Sequence, residues 1–242
     1  MTMLRTTEIV PLIYVRNPQI HAIAKAVGRI TTSQSTPVVP KGTAFFICAD
    51  PLLIMTNYHV LDSGYDDKTR TTETLNFDYV KDVIEESSVQ FSYYQSKGRS
   101  LHLAQLIADD YLCYSLDLDY MIMRIEPQSA DLKGFNQRKP IKLKNPSVGQ
   151  GVRIIQHAKG MPKSYSMTTI DAILSAKGDR MCYNAKTENG SSGSPVFNNA
   201  WAIIALHNAE CEVKPLNKGI PIECICEDLR KRYPNVAKIL DL

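Results

Sequence analysis

The chain has 242 residues, enough for one large all-β domain or two small ones. Its 28 basic and 25 acidic residues give a formal net charge of +3 without a long basic run, which argues against a nucleic-acid partner. No apolar stretch is long enough to span a membrane, and residues 1–15 lack the small-residue cleavage site of a secretory leader. We therefore expect neither membrane association nor secretion.

The first predicted element is a short helix near the N-terminus. Asn17 is a suitable cap, and Pro18 suits the first turn that follows it. Apolar residues then recur at helical spacing, at Ile20, Ile23, Ala24, Val27 and Ile30. We expect this helix to lie in an N-terminal extension, residues 1–40, packed on the main body of the protein.

From Thr43 onward the pattern changes to brief apolar runs separated by turn-forming residues. The runs are rich in β-branched and aromatic residues, and they cover 45–48, 53–55, 89–94, 103–107, 121–125, 152–156, 170–174, 195–197 and 203–206. Short strands without alternating helices predict an all-β protein with antiparallel strands, as a barrel or a sandwich. We place a first β half at residues 41–126 and a second at residues 147–225.

Three further segments connect or close these halves. Residues 62–86 are polar and irregular, which predicts a surface loop. Residues 127–146 are rich in lysine and polar residues, as is typical of a linker. Residues 226–242 place apolar side chains among charges and predict a closing helix, interrupted near Pro234.

The six cysteines are scattered, and only Cys224 and Cys226 are close together, at a spacing too tight for a usual zinc pair. We interpret all six as free thiols, which predicts a reducing, cytoplasmic setting. A disulfide between Cys182 and Cys211 is the alternative.

Three motifs in a fixed order indicate nucleophilic catalysis. His59 follows an apolar strand, Asp119 directly precedes the run Tyr120 to Met123, and Ser192 lies in the sequence Gly-Ser-Ser-Gly-Ser-Pro. A serine hydroxyl is a poor nucleophile at neutral pH, so it needs an imidazole to take its proton and an acid to orient that imidazole. Asp117 is the alternative for the acid.

With the strand Gly42 to Phe46, these motifs resemble the trypsin-like serine peptidases of the chymotrypsin fold over residues 40–210. In motif style the chain is most similar to bacterial glutamyl endopeptidases and high-temperature-requirement proteases. The resemblance implies two six-stranded antiparallel β-barrels with an N-terminal and a C-terminal helix, and no metal or organic cofactor. It implies that His59 is base and acid, that Asp119 orients it, and that Ser192 is the nucleophile. The N–H groups of Gly190 and Ser192 would form the oxyanion hole.

The resemblance also implies a substrate pocket. In glutamyl endopeptidases a threonine before the nucleophile and a histidine after it line this pocket, and Thr187 and His207 stand at the same offsets here. Lys186 would add positive charge, so cleavage after Glu or Asp is expected. Glu210, near the pocket mouth, argues against that preference because it would repel an acidic side chain. In the alternative interpretation, His207 is a packed strand residue and Thr187 a loop hydroxyl.

One departure from the family bears on activation. Secreted relatives made as zymogens carry an aspartate directly before the nucleophile, whereas this chain has Ser191. A new amino terminus at Ile30 would then have no counter-ion, so we expect no trypsinogen-type activation.

The predicted function is a serine endopeptidase acting on protein or peptide substrates. By analogy, we expect control by a regulatory protein partner or by an unformed oxyanion loop, in a bacterial defence setting. A rival hypothesis is a protease-fold module that binds a peptide as an added β-strand with little or no turnover. An esterase is a second rival, but Pro195 and the strand-like residues after it argue against a strand-to-helix nucleophile elbow.

Overall fold

The structure is a computed structural model that describes residues 8–32, 38–74, 76–95, 103–128, 147–174, 178–211 and 216–242. In chain order the strands are β1 (Val10–Pro11), β2 (Val27–Thr32), β3 (Pro40–Ala49), β4 (Leu52–Thr56), β5 (Tyr65–Asp66), β6 (Thr71–Thr72), β7 (Ser87–Gln90), β8 (Leu103–Ile107), β9 (Cys113–Ser115), β10 (Tyr120–Pro127), β11 (Gly151–Gln156), β12 (Ser164–Leu174), β13 (Arg180–Tyr183), β14 (Pro195–Asn198), β15 (Ile203–Glu210) and β16 (Asn217–Pro221). The helices are α1 (Pro18–Ala24), α2 (Phe77–Glu85), α3 (Ile222–Arg232) and α4 (Pro234–Ile239).

The strands form two closed antiparallel barrels of six strands each, as predicted. The first has the order β4-β3-β2-β7-β8-β10 and closes through the pairing of β10 with β4, while β9 adds to β10 outside the ring. The second has the order β12-β11-β14-β15-β16-β13 and closes through β12 and β13, with β1 added to β12. Closure leaves no unpaired sheet edge within either ring.

The continuous apolar runs reflect burial on both faces of a strand. In β10, Met121, Met123 and Ile125 lie in the core of the first barrel. Tyr120 and Ile122 of the same strand belong to a second cluster, which joins both barrels to α1, α3 and α4. Successive side chains of a strand point to opposite faces, so a strand between two cores is apolar throughout.

The N-terminal helix is shorter than its apolar spacing suggests. Asn17 caps it as expected, accepting hydrogen bonds from the N–H groups of Gln19 (2.9 Å) and Ile20 (3.3 Å). The helix ends at Ala24, and Val27 and Ile30 lie instead on β2, which pairs with β3 and β7 inside the first barrel. The first barrel therefore begins at β2, within the predicted extension 1–40. Val27 and Ile30 are buried on this strand as they would have been on a helix, so their spacing did not distinguish the two.

The segment 62–86 is more ordered than the predicted surface loop. It contains the hairpin of β5 and β6 and the helix α2, which Asn76 caps by accepting from Asp78 N at 2.8 Å. Val80 and Ile84 lie one turn apart and are buried against the barrel. The closing helix also begins earlier than residue 226, at Ile222, and Tyr233 and Pro234 divide it into α3 and α4. Most of the predicted linker 127–146 lies outside the described residues.

The interpretation of all six cysteines as free thiols is wrong for two of them. Cys182 on β13 and Cys211 after β15 form a disulfide, with Cα atoms 6.4 Å apart. These strands both flank β16, so the sheet brings together cysteines 29 positions apart in the chain. Cys48, Cys113, Cys224 and Cys226 are free. In the described ranges, no helix combines the length and apolar character needed to cross a membrane.

Candidate active site

His59 lies on a single helical turn, Tyr58–Val60, that directly follows β4 at the edge of the first barrel. Its ring is about one quarter exposed, with a side-chain accessibility of 26%. The turn is held on both sides. Thr56 Oγ1 donates to the carbonyl oxygen of Thr43 at 2.7 Å, and Asn57 Nδ2 donates to the carbonyl oxygen of Asp119 at 2.8 Å. The imidazole is therefore presented to the cleft from a fixed backbone.

Asp119 is hydrogen-bonded to this imidazole. Its buried carboxylate accepts from His59 Nδ1 at 2.7 Å and from His59 N at 3.0 Å. The backbone of Asp119 has φ of +45°, in the left-handed region that aspartate tolerates better than most residues. Such strain is common where surrounding structure fixes a functional group. Asp117, the alternative acid, is exposed and pairs with Arg70 at 3.0 Å instead.

Asn208 is a third partner of the carboxylate that sequence reasoning did not identify. Its Nδ2 donates to Asp119 Oδ2 in a short hydrogen bond, and its side chain is buried. Asn208 is the extra residue of a β-bulge, since His207 pairs with Gly219 and Ala209 with Lys218. A bulge redirects a side chain out of the regular alternation of a strand. The second barrel thereby supplies a hydrogen-bond donor to the acid of the first.

Ser192 meets the same residue from the other side. Its Oγ donates to the carbonyl oxygen of Asn208 at 3.0 Å. A chain of three hydrogen bonds thus runs from Ser192 through Asn208 and Asp119 to His59. In this conformation the Ser192 hydroxyl is directed to Asn208 and not to the imidazole. Proton transfer to His59 requires the hydroxyl to turn, and catalytic hydrogen bonds often form fully only with substrate bound.

The loop that carries Ser192 is fixed by close backbone contacts. Gly193 has φ of +83°, and a Cβ there would overlap the carbonyl oxygen of Thr43. Gly190 has φ of +89°, and a Cβ there would lie 2.9 Å from both Gly160 N and His157 O. Both positions require glycine because side chains favour neither this φ nor such an approach.

The N–H groups predicted for the oxyanion hole are available. Gly190 N and Ser192 N donate to no other group in the described part of the chain. The carbonyl oxygen of the neighbouring Asn189 accepts a hydrogen bond from Lys159 N at 2.5 Å. Ser191, in the place of the zymogen aspartate, accepts from Glu188 N at 3.1 Å through Oγ. The Ser191 side chain therefore forms a hydrogen bond within its own loop and needs no counter-ion.

Electrostatics raise the pKa of His59. Burial lowers the pKa of the imidazole, but the charge and hydrogen bond of Asp119 outweigh it and raise the pKa above its usual value. Asp67 contributes in the same direction, whereas Lys218 opposes it. Both charges are therefore close enough to act on the imidazole.

The three residues predicted to read an acidic side chain differ in their surroundings. Burial, aided by the charge of His59, lowers the pKa of His207 to about 3, so this imidazole is neutral. Its Nδ1 lies 2.7 Å from Tyr183 Oη. Thr187 Oγ1 donates to Asn217 at 2.9 Å, which uses its only proton. Lys186 is exposed and lines a cavity of about 650 Å³ beside the N-terminal segment.

A different lysine lies at the strand that carries Asn208. Lys218 on β16 pairs in register with Ala209, and its Nζ lies 2.5 Å from Asp67 Oδ2. Asp67 is at the tip of the β5–β6 hairpin, a separate two-stranded sheet that lies in the chain between β4 and β7 of the first barrel. Neither residue carries a sequence motif, so only the pairing of strands could have indicated this contact. In the described ranges, no group of three or more His, Cys, Asp or Glu residues is placed to hold a metal ion.

Comparisons with known proteins identify the family of this chain. The family model for the "Trypsin-like peptidase domain" matches residues 42–206, which include His59, Asp119 and Ser192. Protein y4fB of Sinorhizobium fredii (strain NBRC 101917 / NGR234) is 31% identical over 180 residues, which are 69% of this chain and 25% of that protein. The chain thus spans about a quarter of the length of this curated relative.

Solved structures show the same fold. The inactive form of Rv3671c protease has a TM-score of 0.56 and 17% identity, covering 93% of this chain and 96% of that one. The active form of Rv3671c protease from M. tuberculosis has a TM-score of 0.58 and 17% identity, covering 93% and 87%. Closeness to glutamyl endopeptidases or high-temperature-requirement proteases is not tested by these matches and stays a prediction.

Proposed function

Because the chain belongs to the trypsin-like peptidase domain family, we propose that it is a serine endopeptidase acting on protein or peptide substrates. The observation that supports this most directly is the buried hydrogen bond of 2.7 Å between His59 Nδ1 and Asp119. It fixes the tautomer that leaves Nε2 free to accept a proton. The nucleophile proposed for this base is Ser192, one hydrogen bond from the same network.

The proposed reaction has two stages. Ser192 Oγ bonds to the substrate carbonyl carbon as its proton passes to His59 Nε2, and the N–H groups of Gly190 and Ser192 stabilise the oxyanion. The C–N bond then breaks as His59 gives the proton to the leaving amine. Water attacks the acyl-enzyme by the same route and releases the carboxylate product. Each step uses only this chain, the substrate and water.

An acidic preference before the scissile bond is a second part of the proposal. A neutral His207 serves it only as a hydrogen-bond donor from Nε2, which requires Tyr183 to donate to Nδ1. Thr187 is engaged by Asn217, and Lys186 is exposed, so these two side chains support it weakly. Regulation by a protein partner in a bacterial defence setting remains a prediction.

A cytoplasmic setting also remains a prediction, and one observation weighs against it. The Cys182–Cys211 disulfide is more typical of proteins from oxidising compartments.

The direction of the Ser192 hydroxyl favours the rival function. A protease-fold binding module would hold a peptide against β15 without transferring a proton, and the bond from Ser192 Oγ to Asn208 is compatible with that role. An esterase is less compatible, because the strand β14, and not a helix, follows Ser192.

Labelling by a fluorophosphonate probe separates these functions. We expect the wild type to be labelled, and Ser192→Ala and His59→Ala to lose labelling while keeping the circular dichroism spectrum of the wild type. Ser191→Ala, a variant one position away, should still be labelled by the probe. A folded wild type that is never labelled would support the binding module, and labelling that survives in Ser192→Ala would remove Ser192 as nucleophile.

A further inference from the structure

Lys218 of the second barrel is a nearly buried cation whose partner comes from the β5–β6 hairpin. Its side chain is 11% exposed, and that of Asp67 is 22% exposed. Removing an ammonium group from water is costly unless an anion and hydrogen bonds replace the water. Asp67 supplies that anion from the tip of the hairpin, across the cleft between the barrels.

The pairing is incomplete on the side of the carboxylate. Asp67 Oδ2 contacts Lys218, but Asp67 Oδ1 is buried and has no hydrogen-bond partner among the described residues. Buried carboxylates in permanent ion pairs normally have their remaining acceptor sites filled. A carboxylate with one satisfied oxygen is therefore easier to replace than one that is fully bonded.

The ion pair lies next to the reacting groups. Lys218 pairs with Ala209, the residue directly after Asn208, whose carbonyl oxygen accepts from Ser192. Tyr183 Oη lies 3.3 Å from the Lys218 carbonyl oxygen and 2.7 Å from His207, so Lys218 shares its surroundings with the predicted pocket. Its ammonium group is the cation that the strand pairing brings to this end of β15.

We propose that Lys218 binds the acidic side chain of the substrate, and that Asp67 holds the same position until the substrate carboxylate displaces it. This inference rests on the proposed function and names the residue that selects its substrates. Exchange of one carboxylate for another keeps Lys218 paired, whereas a neutral side chain would leave a buried charge without a partner. The hairpin therefore acts as an internal competitor, and an acidic substrate opens the site.

Two further ion contacts keep the hairpin attached when Asp67 leaves Lys218. Arg70, the last residue of the turn that begins at Asp67, bridges Asp117 at 3.0 Å and Asp179 at 2.9 Å. These contacts anchor the hairpin to both barrels without Asp67. Displacement of Asp67 then requires its own side chain to leave Lys218 while Arg70 keeps the turn attached.

Binding to an uncleavable protein tests the inference apart from catalysis. The probes are two fluorescein-labelled peptide pools, random except for a fixed central Glu or a fixed central Gln, measured by anisotropy on the 242-residue chain carrying Ser192→Ala. We expect the Glu pool to bind at least about tenfold more tightly, because a hydrogen bond to a charged group is worth at least that factor in affinity. Adding Asp67→Asn should raise affinity for the Glu pool further and leave the Gln pool nearly unchanged.

Lys218→Met should remove the Glu preference, and Asp66→Asn, an exposed neighbour on the hairpin, should not alter it. If Lys218→Met fails to fold, the double variant Asp67→Asn/Lys218→Met removes both charges and serves in its place. A Glu preference that persists in either variant, an affinity unaffected by Asp67→Asn, or no binding of either pool would overturn the inference. Probe labelling of the wild type reports on the proposed function separately, so selective binding without labelling refutes only the endopeptidase.

Discussion

Asn208 in the second barrel donates a side-chain hydrogen bond to the buried carboxylate of Asp119 in the first, across a sequence separation of 89 residues. The same residue accepts the hydroxyl of Ser192 through its backbone carbonyl. A single bulged position therefore contacts two members of the proposed triad. The relative placement of the barrels sets the geometry of the acid and the nucleophile together.

We expect Asn208→Ala to lower kcat about 10- to 100-fold, because a lost hydrogen bond to a charged group is worth about 1.5–3 kcal/mol. KM should change little, since Asn208 acts through Asp119 and not on the substrate side chain. Steady-state kinetics on a peptide substrate measure both constants. Asn199→Ala, at an exposed asparagine, is the matched control. A higher KM with an unchanged kcat would contradict the positioning role.

The pH dependence of kcat/KM follows from the raised pKa of His59. The neutral imidazole is the base, so activity should rise with pH through a value above about 6.5. For stability the sign is opposite: protonated His59 stabilises the fold below its unfolded pKa, and this contribution is lost as pH rises through the folded pKa.

Removing the charge of Asp67 or that of Lys218 should move that acidic limb of the pH profile, in opposite directions. Asp67→Asn removes a negative charge that raises the His59 pKa, so the limb should shift to lower pH. Lys218→Met removes a positive charge that lowers it, so the limb should shift to higher pH. Profiles of kcat/KM from pH 5 to 9 on a substrate cleaved by all variants provide the measurement. Shifts of the same sign would show that these charges do not act on His59 directly.

Gly193→Ala should destabilise the protein more than Gly149→Ala. Both positions have positive φ, which costs an ordinary residue about 1–2 kcal/mol, but a Cβ at Gly149 meets nothing within 4 Å. A Cβ at Gly193 would overlap the Thr43 carbonyl and push the nucleophile loop from the first barrel. Urea unfolding gives the two free energies of unfolding. Equal losses would mean that the loop can move without cost.

The disulfide predicts a specific thiol count. Thiol titration of the denatured protein, purified without reductant, should find four free thiols, and six after reduction. The paired variant Cys182→Ala/Cys211→Ala should lower the free energy of unfolding by about 2–4 kcal/mol, because the unfolded chain regains its freedom. Cys48→Ala, at a half-buried free thiol, is the control. Six thiols before reduction would rule out the disulfide in that preparation.

Local chemistry made much of the fold predictable. The strand runs, the Asn17 cap and the order of His59, Asp119 and Ser192 depend on neighbouring residues, and the structure places them in the expected elements. The helical spacing that continued to Ile30 predicted too long a helix, because residues buried on a strand can also fit a helical period. Helix α2 was missed because its few apolar residues lie within a polar segment.

The sequence by itself determined the family, the all-β architecture and the residues that carry the proposed chemistry, because each depends on short motifs read along the chain. Only the tertiary structure decided that Asn208 holds Asp119, that Cys182 meets Cys211 and that Asp67 faces Lys218. A bulge and the closure of two barrels create these contacts. Their partners are far apart in the chain, and no local pattern records which residues a closed sheet will bring together.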